Sequence, residues 1–104
     1  MNEFIDLHGA SGRAYRFRLW REGEAHQPIA GNYVYVGTTE QGAEVYGVGV
    51  TNDLSAARPA LARLKRPGAP QVYTRLNVSR TTRETEHQDL VAHYKPQFVG
   101  EDAT

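Results

Sequence analysis

The sequence predicts an α+β fold: a small mixed or antiparallel sheet flanked by helices, in one domain over residues 1–104. Apolar residues alternate on both sides of the turn Gly9-Ala10-Ser11-Gly12, as in a strand hairpin with one wet face. Val- and Tyr-rich runs flank a second turn-rich stretch, Gly37 to Gly42. Helical spacing then appears twice in the second half. A chain of 104 residues closes one core and is too short for two.

In order, Glu3 to Leu7 and Ala14 to Trp20 form the N-terminal β-hairpin, with Tyr15, Phe17 and Leu19 on one face and Arg16 and Arg18 on the other. Arg21 to Ala30 is polar, contains Gly23 and Pro28, and reads as a loop. Asn32 to Val36 and Glu44 to Val50 form a second hairpin whose return strand, almost all apolar or Gly, is central. Leu54, Ala57, Leu61 and Leu64 recur at helical spacing behind the cap candidates Thr51, Asn52 and Asp53, giving a helix that ends before Pro67-Gly68. Pro59 interrupts that pattern, because beyond the first turn a proline removes a backbone bond and clashes with the preceding carbonyl. Gln71 to Val78 alternates as another strand. Thr81-x-x-Glu84 is a capping-box pattern opening a last helix that stops at Tyr94-Lys95-Pro96. Residues 100–104 form a flexible tail.

Composition narrows the chemistry. There is no Cys, so thiolate nucleophiles, disulfides and zinc knuckles are excluded from the chain itself. No apolar run approaches about eighteen residues, and the first residues carry neither a basic nor an apolar leader pattern, which predicts a cytoplasmic protein with no membrane partner. Lys+Arg and Asp+Glu balance at 12 each. Their distribution is uneven: Arg58, Arg63, Lys65, Arg66, Arg75, Arg80 and Arg83 lie in a stretch without Asp or Glu. Such a stretch is either a nucleic-acid face or a solvated face over which acids from elsewhere fold.

The order strand, strand, helix, strand, helix resembles the GIY-YIG nuclease family. Gly31-Asn32-Tyr33 opens the first strand and Gly47-Val48-Gly49-Val50-Thr51-Asn52-Asp53-Leu54 closes the second. Arg83 through Leu90, then Tyr94-Lys95-Pro96-Gln97-Phe98, looks like that family's closing helix and Lys-Pro turn. The likeness implies a β-β-α-β-α core over residues 31–99, preceded by the hairpin and loop of residues 1–30.

In active members the likeness would imply a tyrosine in each of two strands, an arginine on the first helix, a metal-binding glutamate on the last helix and an asparagine after the Lys-Pro turn. A carboxylate-held divalent ion grips the scissile phosphate, the arginine stabilises developing charge, and tyrosine hydroxyls orient the attacking water. Carried over position by position, Tyr33 is the only match. The second tyrosine falls on Gly47, the arginine on Ala57, the glutamate on His87 and the asparagine on Val99.

Neighbouring residues suggest displaced equivalents. Tyr46 reaches the required face only through a bulge, because one step along a strand flips the side chain. Glu86 is rotated from the inward stripe of His87, Leu90, Val91 and Tyr94, since one helical step is about 100°. Arg58 is brought nearer only if Pro59 shifts the helix. His87 on an apolar face reads first as a buried, hydrogen-bonded histidine and second as part of a remodelled pocket with Tyr33. His8, His26 and His93 lack the i, i+4 spacing of a helical metal site, so no metal site is expected, and Mg or Mn enters only if cleavage survives through Arg58 and Glu86. Tyr15, Phe17, Tyr35 and Tyr46 are expected in the sheet core. Arg63, Lys65, Arg66, Arg75 and Arg80 are the candidate phosphate contacts.

Together these readings predict a nuclease-like domain that has lost phosphodiester cleavage and acts as a nucleic-acid-binding or regulatory module. The alternatives are an active metal-dependent DNA endonuclease with displaced residues, and a protein–protein interaction module. The expected partners are DNA through the 58–83 segment, or a protein.

Overall fold

The structure is a computed structural model that describes residues 3–57 and 71–101. It is an α+β domain in which a six-stranded mixed sheet carries one α-helix among the described residues. The strands are β1 (Phe4–His8), β2 (Ala14–Trp20), β3 (Gly31–Thr39), β4 (Gly42–Thr51), β5 (Gln71–Leu76) and β6 (Phe98–Gly100), arranged β1-β2-β5-β3-β4-β6. The helix α1 spans Arg80–Tyr94. β2 pairs antiparallel with β5 at Arg18–Thr74, Leu19–Tyr73 and Trp20–Val72, so the N-terminal hairpin continues the same sheet.

Side-chain alternation sorts the interior into two layers. Leu7, Tyr15, Phe17, Leu19, Val34, Val48 and Tyr73 face α1 and pack around Leu90. Trp20, Tyr33, Tyr35, Tyr46 and Val72 occupy the opposite face with Leu54 and Ala57. Burying a side chain as completely as Phe17 or Leu90 contributes about 1.5–3 kcal/mol, and these layers hold the sheet between them.

The predicted first helix is described only at its start, a 3-10 turn over Leu54–Ala56 capped by Asp53, whose carboxylate accepts from the Ser55 N–H. Pro59, Arg58, Leu61 and Leu64 lie outside the described residues. The last helix begins two residues earlier than the Thr81-x-x-Glu84 pattern predicts: Ser79 is the cap and accepts from the Thr82 N–H, while Glu84 pairs with Arg80 at 3.2 Å. At its other end Lys95 adopts φ 46°, the left-handed cap conformation that the following Pro96 helps impose by disfavouring continued helix.

Two further differences concern strands. β5 ends at Leu76 rather than Val78, because the Asn77 side chain turns to hydrogen bonds with Asn32 and Glu86. Gly100, placed in the tail by the sequence, belongs to β6, which pairs parallel with β4 through Gly47–Phe98, Val48–Val99 and Gly49–Gly100. No pattern of apolar residues announces a strand of three residues; its partner decides it.

Candidate functional site

Tyr33 and His87 lie on opposite faces of the sheet. Tyr33 packs with Tyr35 at a ring separation of 5.4 Å, in the layer closed by Leu54 and Ala57. Its ring is seated on glycines: a Cβ at Gly49 would overlap the ring, and one at Gly100 would overlap the hydroxyl. Its neighbours in β3 point the other way, Val34 into the layer around Leu90 and Asn32 to the backbone carbonyl of Arg83 on α1 at 2.9 Å. His87 is on that α1 side, so the pocket shared by His87 and Tyr33 that the sequence suggested does not form.

The position of the expected second tyrosine is already filled. A Cβ on Gly47 would lie 2.6 Å from Cδ2 of Tyr35, whose ring covers the glycine. The Tyr35 hydroxyl donates to the carbonyl of Ala57 at 2.6 Å, tying down the backbone where the resemblance places the arginine. The β3–β4 register shifts after Tyr35, which pairs with Gly47 while Val36 pairs with Val45. Tyr46 is the extra residue of this bulge, and the bulge turns it to the Tyr33 face. Strand alternation alone puts Tyr46 on the other face, and only the bulge brings it here. Its ring lies 6.2 Å from Tyr35 and 2% exposed, a member of the aromatic layer.

Glu86, expected to be turned away from the helix's inward stripe, is not turned to solvent. At 12% side-chain exposure it accepts from Nε of Arg75 at 2.8 Å and from Nδ2 of Asn77 at 2.9 Å. Asn77 also donates to Oδ1 of Asn32 at 3.0 Å, and Arg75 lies over the Tyr15 ring at 5.6 Å. The network joins β3, β5 and α1 with its polar groups satisfied, which is how a half-buried carboxylate is tolerated. The divalent ion implied by the resemblance needs a carboxylate free to ligate. Glu86 is committed to Arg75 and Asn77, the family position holds an imidazole, and no group of three metal-ligating side chains converges among the described residues. The donors present do not fit that ion.

A cleft of about 500 Å³ opens over the N-terminal half of α1, lined by Val50, Asn52, Arg80, Glu84, His87 and Glu101 among others. His87 is 1% exposed at its base. Its Nε2 lies 3.3 Å from the Glu101 carboxylate without hydrogen-bond geometry, and its Nδ1 has no partner among the described residues. Burial holds the imidazole below its ordinary pKa, with Glu101 and Glu84 opposing that shift.

No family model, curated protein or solved structure matches this chain.

Of the predicted phosphate contacts, Arg75 is bound to Glu86 and Arg80 to Glu84, the arrangement in which acids from outside the basic stretch fold over it. Arg83 donates to the Val78 carbonyl at 2.8 Å. Arg58, Arg63, Lys65 and Arg66 lie outside the described residues. Val99, at the expected asparagine position, is exposed.

A second centre went unread in the sequence. Asp89 accepts from the Ser11 N–H at 2.8 Å, the Ser11 hydroxyl at 2.6 Å and the Tyr15 hydroxyl at 2.6 Å, locking the Gly9–Gly12 turn to α1. These bonds, from Ser11 first, hold the Asp89 carboxyl below its usual range. Only the pairing of a Gly-Ala-Ser-Gly turn with an acid on the last helix hinted at it. No helix of the described residues is long and apolar enough to cross a membrane.

Proposed function

We propose that this chain is a catalytically degenerate GIY-YIG-like domain that binds a partner, with nucleic acid as the leading class, and does not hydrolyse phosphodiesters. The observation that carries the reading is the sheet standing between Tyr33 and the α1 residues Glu86 and His87. Cleavage by this plan requires a hydroxyl and a metal-bearing carboxylate on one phosphate, and residues that act as a unit fail together. Loss of even one preorganised charge-stabilising donor costs about 10²–10³ in rate. The nucleic-acid arm rests on the acid-free stretch containing Arg58, Arg63, Lys65 and Arg66.

A protein partner is the second reading, favoured by the pairing of Arg75 and Arg80 with acids and by the exposed apolar side chains of Phe4, Leu76, Val78 and Val99. The test incubates the purified protein with branched and single-stranded DNA plus Mg²⁺ or Mn²⁺, then measures a mobility shift as salt rises. The expected result is no product and a complex that weakens steeply between about 50 and 200 mM salt, because phosphate contacts release counterions. Turnover abolished by Tyr33→Phe would overturn the loss of cleavage. Tight binding insensitive to salt, or none, would move the assignment to a protein partner.

A further inference from the structure

We propose that the cleft over His87 is a binding site for a compact carboxylic acid, and that the Glu101 side chain is its built-in stand-in. The site lies across the sheet from Tyr33, so it goes beyond the proposed nucleic-acid reading and does not depend on it.

Two features of the cleft converge on an anionic oxygen ligand, the unbonded His87 and the carboxylate beside it. His87 lines the cleft, is buried to 1% exposure, and has both ring nitrogens unbonded among the described residues. Buried polar atoms are bonded in the great majority of native structures, so an imidazole left this way calls for a partner that the described residues do not supply. The group nearest to it is a carboxylate, Glu101 Oε1 at 3.3 Å from Nε2, close enough for attraction but misaligned for a hydrogen bond. Glu101 is itself 58% exposed, so a soluble acid can displace it without opening the core.

The walls suit the same chemistry. Arg80 and Thr81 lie in the first turn of α1, where backbone N–H groups have no intrahelical acceptor and the helix dipole favours negative charge. Ser79 already takes the Thr82 N–H and accepts the Arg83 N–H, while helix geometry gives the N–H groups of the cleft-lining Arg80 and Thr81 no intrahelical acceptor. Glu84 also faces the cleft, but Arg80 holds it at 3.2 Å and offsets its charge. A single carboxylate matches the charge of the Glu101 side chain it would replace, whereas a dianionic phosphate carries more than that one charge. Val50 and Asn52 bound the far wall without charge, and a volume of about 500 Å³ admits a small acid or the last residue of a peptide. Both sources present the same carboxylate.

The test follows the His87 ring by NMR in the full chain, titrated with propionate, with a short peptide bearing a free C-terminus, with the same peptide amidated, and with inorganic phosphate. Saturable shifts of His87 with propionate or the free peptide, weaker shifts with phosphate and none with the amidated peptide are expected; the tighter of the first two identifies the source. Glu101→Gln removes the tethered competitor and should tighten binding about tenfold, since a linked group competes at high effective concentration. His87→Phe, followed through the backbone amide signals of the cleft residues Asn52 and Glu84, should abolish binding. If that variant does not fold, Arg80→Gln, on the exposed cleft wall, should weaken binding several-fold. No saturable response in the wild type and Glu101→Gln, or affinity unchanged by Glu101→Gln, would overturn the proposal.

Discussion

The Glu86 carboxylate is held between Arg75, 2.8 Å away, and Asn77, 2.9 Å away, and through Asn77 it reaches the fully buried Asn32 of the central strand. This arrangement turns the acid one residue from the expected metal-ligand position into a structural tie between β5 and α1. Removing Glu86 leaves a guanidinium and an amide without their acceptor inside a part-buried network. Glu86→Ala should therefore destabilise the fold by about 2–4 kcal/mol in urea unfolding. Combined with Arg75→Ala, it should show a coupling of about 1–3 kcal/mol. Additive effects would mean that the pair is only a surface contact.

Asp89 should make stability depend on acidity. Its folded carboxyl titrates below the unfolded value of about 3.9. The unfolded chain therefore binds its proton first as pH falls, and the contribution is present above about pH 4 to 5 and lost as pH drops through the folded value. Asp89→Asn should lower stability at neutral pH and flatten the profile below about pH 5, read by chemical denaturation across a pH series. A wild-type slope retained in the variant would assign the acid sensitivity elsewhere.

His87 should act at a higher pH. Burial depresses its folded pKa below the unfolded value of about 6.5, so the unfolded state takes the proton more readily. Stability is full above about pH 6.5 and falls below it toward the folded value. A His87→Phe chain that folds should lose this component between about pH 7.5 and 5.5, visible as a flatter thermal-unfolding midpoint over that range.

Restoring the expected tyrosine should fail. Because the Tyr35 ring already covers Gly47, with a Cβ there 2.6 Å from Cδ2, Gly47→Tyr should cost about 1–3 kcal/mol or more from overpacking. It should confer no DNA cleavage. Tyr35→Phe leaves the space filled but removes the donor to the Ala57 carbonyl, and should cost about 1–2 kcal/mol. A stable, cutting Gly47→Tyr protein would contradict the packing described for this face.

Much of the sheet was legible because alternation is a local signal: Tyr15, Phe17 and Leu19 against Arg16 and Arg18 mark one face of β2 without reference to any other strand. The last helix was equally readable, and His87 with Leu90 form its buried positions as the spacing predicts. The polar residues at the candidate site were harder. Ser79 supplanted Thr81 as the cap, since both are good caps and backbone geometry chooses between them. Tyr46 was expected on the wrong face because strand alternation assumes an unbroken ladder, and the bulge after Tyr35 resets its phase.

The sequence by itself determined the α+β class, the N-terminal hairpin, the apolar faces of the strands and α1, and the absence of thiol chemistry. Those properties follow from residue type and near-neighbour periodicity, which the chain carries with it. Tertiary structure alone decided that Tyr33 and His87 are separated by the sheet, that Tyr35 occupies the space above Gly47, that Glu86 binds Arg75, and that Glu101 reaches His87. Each is a meeting of residues distant along the chain or a choice between faces of the sheet, set when the strands align and the helix docks. Periodicity reports which side of an element is apolar; it does not report which element that side will meet.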